Sequence, residues 1–340
     1  MTKLKSLAGL ASALWLALAA TANAQPMADY FRGKTLRLLT PSVPGGDRAL
    51  YSLAFANFYG RHVPGNPTVQ AVFMPGAGGS TAVNNAYNVA APDGLTIVTP
   101  LAAVVMAQAV GDESVKYDVA KMSWLGRITD ATRVFMVSNK VAAKSLADFR
   151  QREVVISTIA KASETYMLPA FISRIFGAKF KIVTGYQGAG KMALAVEAGE
   201  ADGTFPTWND LGSYHPDWVR EGGPMRLIVQ IALRKQVAIP EVPLLLDLAE
   251  NDADRDLVAF MSSGQEMGQS YATPPGVPAP IVAALRQAFD DTMKDPAFIA
   301  RLHTAKMQFN PIGGADLTGI VARTVATPKS VVDRYKAAIE

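Results

Sequence analysis

Three clusters of glycine with proline and small residues are the groups in this sequence best suited to chemistry. They are Pro41-Ser42-Val43-Pro44-Gly45-Gly46-Asp47, Pro75-Gly76-Ala77-Gly78-Gly79-Ser80-Thr81 and Gly185-Tyr186-Gln187-Gly188-Ala189-Gly190. Glycine lacks a Cβ and lets the backbone approach a ligand closely. Where such a turn runs into a helix, unpaired amide N–H groups and the positive end of the helix dipole face the same point. That combination attracts an anion, and a carboxylate suits it. One such turn alone is better explained by tight turning; three in matching positions favour the anion site.

Signatures of catalysis are thin. Gly185 to Lys191 satisfies the G-x-x-x-x-G-K spacing of a phosphate loop, yet Met192 follows where a hydroxyl would hold Mg²⁺. His62, His215 and His303 are the three histidines, and they show no metal-ligand spacing. There is no G-x-S-x-G elbow and no cysteine nucleophile. Glu197, Glu200 and Asp202 gather at a helix end, where solvation explains the first two. The expectation is a protein that is not an enzyme and needs no metal or cofactor.

The elements that must position these turns read as strand then helix, repeated. Apolar strand candidates lie at Lys34–Thr40, Thr68–Met74 and Leu95–Pro100, separated by helical stretches from Asp47 to His62 and through about Val89. The rhythm restarts with strands at Glu153–Thr158, Lys179–Thr184 and Gly203–Thr207 and helices at Thr165–Phe176 and Lys191–Gly199. A βαβαβ order predicts a parallel sheet covered by helices, with ligands bound at the carboxyl ends of its strands. Two such units imply two lobes. Val134–Ser138 and Arg226–Ala232 read as extended segments that carry the chain across and back, a hinge on which lobes can close. The C-terminal third reads as helical, with Ala279–Met293 and Pro328–Ile339 packing on the first lobe.

The fold class expected is therefore α/β and two-lobed, each lobe a mainly parallel sheet flanked by helices. The expected division is an export signal at 1–24, a first lobe at 25–130, a second lobe at 131–225, and a return to the first lobe with C-terminal helices at 226–340. The signal consists of Lys3 and Lys5, the apolar run Leu7–Ala20, and Ala22-Asn23-Ala24, which predicts cleavage after Ala24. That run falls short of the roughly 20 residues needed to span a bilayer. Export to the periplasm also removes the chain from cytoplasmic ATP. Of 33 basic residues two leave with the signal, so 31 face 29 acidic ones. A balance that close to neutral is too small to imply a nucleic-acid or lipid partner, and none is expected. With no cysteines, stability must come from burial.

The motifs together resemble a known family, the substrate-binding receptors of tripartite tricarboxylate transporters, or Bug proteins. The resemblance rests on Thr40–Asp47 (TPSVPGGD), Pro75–Gly79 (PGAGG), Ala91–Ile97 (APDGLTI) and Tyr186–Gly203 (YQGAGKMALAVEAGEADG), and spans nearly the whole chain after the signal. Ile239–Ala249 and Thr273–Phe289 echo further segments, with Leu244 where threonine is usual. It implies a type II periplasmic binding fold, no catalysis, and delivery of a small organic carboxylate to a separate membrane permease by a monomeric receptor. It also implies that backbone groups of the first two turns hold a carboxylate, which here points to Ser42, Val43 and Gly46 and to Ala77, Gly79 and Ser80. The second lobe would select the rest of the ligand through Ser163, Thr165, Tyr186, Gly188 and the stretch from Asp202 through Thr207 and Trp208.

Some residues depart from the pattern. Asp47 follows the first turn where relatives have glycine or Thr-Asp, and helix capping would explain it. The turn at Ile159–Ser163 lacks the usual glycines. Arg133 leaves two readings open, a cation for a second ligand carboxylate or a solvated surface side chain; Lys161 shares them. Tyr186, Phe205 and Trp208 would suit a flat or aromatic acid, or serve as core. Two other classes compete with a transport receptor: a ligand-sensing receptor for a membrane kinase, which the partner pulled down would reveal, and an exported α/β hydrolase, which would turn substrate over.

Overall fold

The computed structural model describes residues 27–339 apart from Gly46, Ala162, Val219 and Glu221. The expected export signal and its cleavage point lie outside the described residues. The chain first lays down β1 (Thr35–Thr40), α1 (Asp47–Tyr59), β2 (Thr68–Phe73), α2 (Ser80–Asn88), β3 (Thr96–Val98), α3 (Ala102–Ala109) and β4 (Ser123–Arg127). It then builds β5 (Arg133–Ser138), β6 (Val154–Ser157), α4 (Glu164–Phe176), β7 (Phe180–Val183), α5 (Ala189–Ala198), β8 (Gly203–Thr204), α6 (Trp208–Tyr214) and β9 (Met225–Ile231). The remainder is α7 (Asp252–Ser263), β10 (Ser270–Thr273), α8 (Ala279–Thr292), α9 (Pro296–Thr304), β11 (Ile312–Gly313), α10 (Gly314–Val325) and α11 (Lys329–Ile339).

These strands form two sheets, in the orders β11-β4-β10-β3-β1-β2 and β7-β6-β8-β5-β9. The fold is thus α/β with two helix-flanked sheets, and each sheet is parallel on one side only. In the first, β1 pairs in parallel with β2 and β3, while β10 runs antiparallel to β3 and β4. In the second, β6 pairs in parallel with β7 and β8, while β5 runs antiparallel to β8 and β9. The parallel parts are the βαβ units; the inner strands β3 and β6 are largely apolar and buried, while the edge strands β2 and β7 carry Gln70 and Lys181 and are only part-buried.

The two extended segments expected to link the lobes are present as β5 and β9, which pair with each other inside the second sheet. The passage between sheets therefore lies outside them, at 128–132 on the way out and at 264–270 on the way back. The two passages are tied together: Ile128 N–H donates to Gln269 O and Gln269 N–H to Thr129 O, both at 2.9 Å. Ala131 N–H donates to Gln265 O at 2.8 Å.

Each sheet has its own core. Phe55 stacks on Tyr59 at 4.4 Å and meets Tyr271 at 4.1 Å, and Leu285 and Phe289 of α8 close over them. The helical spacing of Ile281, Leu285 and Phe289 thus serves the first lobe as expected. The last helix does not: Val332, Tyr335 and Ala338 of α11 pack into the second core, with Tyr335 edge-on to Phe260 at 5.2 Å. Its apolar face complements α4 and α7 rather than the first sheet. Phe205 stacks on Phe135 at 4.6 Å with their rings 10° apart, so it is a core residue and not a wall of the cleft.

Candidate functional site

The glycine turns lie where the βαβ argument puts them, just past the carboxyl ends of β1, β2 and β7. A cleft of about 320 Å³ opens between the two sheets; none of the described residues of the three glycine turns lines it, although Asp47 and Arg48 follow the first turn and Leu101 lies against Gly79 of the second. From the first sheet's side it is walled by Asp47 and Arg48 at the start of α1, by Leu101–Ala103 after β3, and by Gly268 and Gln269 on the return passage. From the second come Arg133, Glu164, Thr207, Asn209 and Asp210. Asp130 and Ala131 on the outward passage complete it.

The first turn ends in a fully exposed apex at Val43, which is 62% accessible, while Ser42 holds back against Thr40 O at 2.8 Å. Ser42 Oγ is buried without a hydrogen-bond partner, and so is Thr99 Oγ1 just past β3. Native interiors pair nearly all such groups, so these hydroxyls represent unspent bonding capacity at neighbouring strand ends. Gly46 lies outside the described residues.

In the second turn, Ala77 and Gly79 both take left-handed conformations, at φ 45° and 97°, and Gly79 N–H closes on Gly76 O at 2.9 Å. Ser80 opens α2, with its Oγ 3.4 Å from Tyr117 Oη. A Cβ on Gly79 would stand 2.8 Å from Cδ1 of Leu101, a cleft residue. Gly79→Val combines that collision with a backbone conformation costing a β-branched residue on the order of 1–3 kcal/mol. The expected result is at least a tenfold loss of ligand affinity in calorimetry with the circular dichroism retained. Undiminished affinity would take this turn out of the site.

Of the second-lobe residues, Arg133 and Thr207 reach the cleft wall. Arg133 is neither solvated nor free: Nε and Nη2 donate to Glu164 Oε2 at 3.0 and 2.9 Å, and Nη1 donates to Phe205 O at 2.9 Å. Lys161 is exposed. Thr207 caps α6, its Oγ1 accepting from Asp210 N–H at 3.1 Å while donating to Asp210 Oδ2 at 2.7 Å. Ser163 and Thr165 are spent on their own turn: Ser163 Oγ donates to Ala160 O at 2.7 Å, and Thr165 Oγ1 accepts from Ile159 N–H at 3.1 Å. Gly188, at φ 86°, leads into α5, and half-buried Tyr186 packs against the apolar cluster that contains Trp208 and Trp218.

Two expected residues belong elsewhere. Asp202 precedes β8 and its Oδ2 accepts from Val155 N–H at 2.8 Å, at the amino end of β6 and so on the far side from the cleft. Trp208 is 7% exposed and sits in the core beneath α6, its Nε1 unpaired. An aromatic side chain just after a strand resembles a cleft wall in sequence, but at the first position of α6 it turns inward.

The electrostatics of the cleft were not legible in the sequence. Arg48 Nη2 donates to Gly268 O and Nη1 to Thr99 O at 3.4 Å, so this cation ties strand ends together; burial lowers its pKa to about 10. Asp47 is the first residue of α1, and Gln269 Nε2 donates to its Oδ2 at 2.9 Å. Burial and the facing charge of Asp210 push Asp47 up to about 6, against the pull of Arg48 and Gln269. Asp130 gathers Thr132, Gln236 and Asn310 onto its carboxylate at 2.8–3.0 Å. With Arg48 and Arg133 both engaged, neither arginine of the cleft is a loose cation for a bound anion. Among the described residues, no group of His, Asp and Glu is arranged to hold a metal ion, and no helix is long and apolar enough to cross a membrane.

This architecture is that of two-lobed periplasmic binding proteins. Its solved neighbours include a TctC solute-binding protein from Polaromonas, with a TM-score of 0.70, 18% identity, and coverage of 89% of this chain and 99% of that one. The periplasmic binding protein BugD is similar at a TM-score of 0.61 and 15% identity, covering 91% and 98%. MatC from Rhodopseudomonas palustris, solved with bound malate, is similar at 0.61 and 18%, covering 91% and 100%. At these identities the likeness is one of fold. No protein-family model matches the sequence, and no curated protein does either.

Proposed function

We propose that the protein is an exported solute receptor that captures a small carboxylate-bearing organic acid in the periplasm and hands it to a tripartite tricarboxylate-type permease. The observation that carries this reading is the cleft itself, walled from one sheet by Asp47, Arg48 and Leu101 and from the other by Arg133, Glu164 and Thr207, with Gly79 packed behind Leu101 and Thr99 bonded to Arg48. The ligand carboxylate rests on the amides of the turns at 41–46 and 76–80, and on Ser42 and Thr99. Arg133, held by Glu164, orients the second lobe's wall. The fold shared with the malate-bound neighbour supports a receptor that binds and releases without chemistry.

The energetics are attainable. A micromolar dissociation constant corresponds to about −8 kcal/mol, and hydrogen bonds to a charged group contribute roughly 1.5–3 kcal/mol each. Four or five donors on one carboxylate supply roughly 6–15 kcal/mol, and apolar contact with the rest of the ligand offsets the ordering costs. Calorimetry of the protein against mono-, di- and tricarboxylates should give one site and micromolar affinity for at least one acid, which is recovered unchanged. Product beyond one equivalent, or no binding across the whole panel, would end the receptor reading.

A further inference from the structure

A second cavity, of about 420 Å³, adjoins the cleft inside the second lobe. Asp210 lines both and is the residue they share. The inner walls are apolar and tightly held: Met192, Ala193, Leu211 and Trp218 are all nearly inaccessible. His215 stacks on Trp218 at 4.4 Å, and Trp218 Nε1 donates to Glu197 Oε1 at 3.0 Å, which fixes the indole plane. Ala189 and Gly190, the first residues of α5, form the outer edge next to the third glycine turn. Thr204, also on the wall, has a buried Oγ1 with no hydrogen-bond partner.

We infer that this cavity receives the apolar tail of the ligand, and that the ligand is an aryl-substituted carboxylic acid. The inference rests on the receptor reading and narrows it. An apolar cavity of about 150 Å³ already accepts a benzene ring, so this one holds a ring with a substituent. The stacked His215–Trp218 pair offers a flat aromatic wall, against which ring contacts are favourable. Orientation follows from charge. Asp210 is the shared residue, its carboxylate held by Thr207, and a second anion drawn past it into apolar surroundings would be repelled and left without solvation. The acid's carboxylate therefore stays at the first-lobe turns while its ring enters. A hydroxyl on the ring would supply the partner that Thr204 Oγ1 lacks, since a buried polar group without a partner is costly to leave so.

Calorimetry tests this with phenylacetate, 4-hydroxyphenylacetate, malate and adipate against the wild type and two variants. Gly190→Phe sets a ring at the cavity's exposed edge, where a Cβ meets no atom within 4 Å, and Thr204→Val exchanges the hydroxyl for a methyl. Circular dichroism and melting of each variant confirm folding. The expected pattern is that the wild type binds both aryl acids more tightly than either aliphatic one. Gly190→Phe should then weaken both aryl acids at least tenfold, and Thr204→Val should weaken 4-hydroxyphenylacetate alone, by about fivefold. Binding of malate or adipate without the aryl acids would overturn the inference and leave the receptor reading standing. So would aryl binding that Gly190→Phe does not touch. If none of the four acids binds, while a wider carboxylate panel also fails, both readings fall together.

Discussion

Glu266→Ala should destabilise the protein by about 3–5 kcal/mol, the largest stability effect expected of any single substitution here. Arg127, the last residue of β4, is 2% exposed, and its Nη1 donates to both the carboxylate and the main-chain oxygen of Glu266. Arg234 Nη2 reaches the same carboxylate at 3.2 Å, and Asp130 lies 3.9 Å from Arg127. Glu266 belongs to the returning passage and Arg127 to the outgoing one, so the pair clamps the two together where the chain moves between sheets. Removing a partner from a buried pair leaves a charge without compensation, which accounts for the magnitude. Chemical denaturation should show the loss in its midpoint, with Arg127→Met/Glu266→Leu recovering part of it because apolar packing dispenses with charge burial. A loss below about 1 kcal/mol would mean that the carboxylate is not what holds Arg127. Since Ile128, Thr129 and Ala131 bond the same segment through their backbones, closure of the lobes should also be altered in the single variant.

That clamp illustrates where the sequence stops being readable. β1, β2, β6 and β7 are legible because each is a short stretch dominated by apolar and β-branched residues. β10 is only Ser-Tyr-Ala-Thr, fully buried yet without an apolar run, and β4 is interrupted by Gly126. Their pairing depends on partners far along the chain. The glycine turns were legible as turns because their left-handed residues restrict what can stand there. The cleft's charged groups were not, since Asp47 meets Gln269 and Arg48 meets Gly268 across more than 200 residues. Arg133 shows the same limit at shorter range: its meaning changes once Glu164 is seen to hold it. Asp202 failed for a different reason. It follows the helix of a recognisable motif, but the turn there lies at the amino end of a strand, opposite the end that faces the cleft.

Asp47 gives the other large effect, and it is one of pH. Its pKa in the folded protein, about 6, lies above the ordinary 3.8 because burial and Asp210 disfavour its charge. The folded state therefore holds the proton more tightly than the unfolded chain does. The stability linked to that proton is fully present below the unfolded value and is lost as pH rises through about 6. Asp47→Asn should consequently be more stable than the wild type at pH 8, by on the order of 2 kcal/mol, and nearly equal to it at pH 4. The amide retains an acceptor for Gln269. Binding should follow the same sign. An anionic ligand entering beside Asp47 and Asp210 favours the protonated carboxyl, so affinity in the wild type should rise from pH 8 to pH 6 with proton uptake. Calorimetry in two buffers of different ionisation enthalpy would measure that uptake, and the variant should show almost none. Wild-type affinity that is flat over this range, with no proton taken up, would place the bound anion away from the Asp47–Asp210 wall and move the carboxylate position out of this cleft.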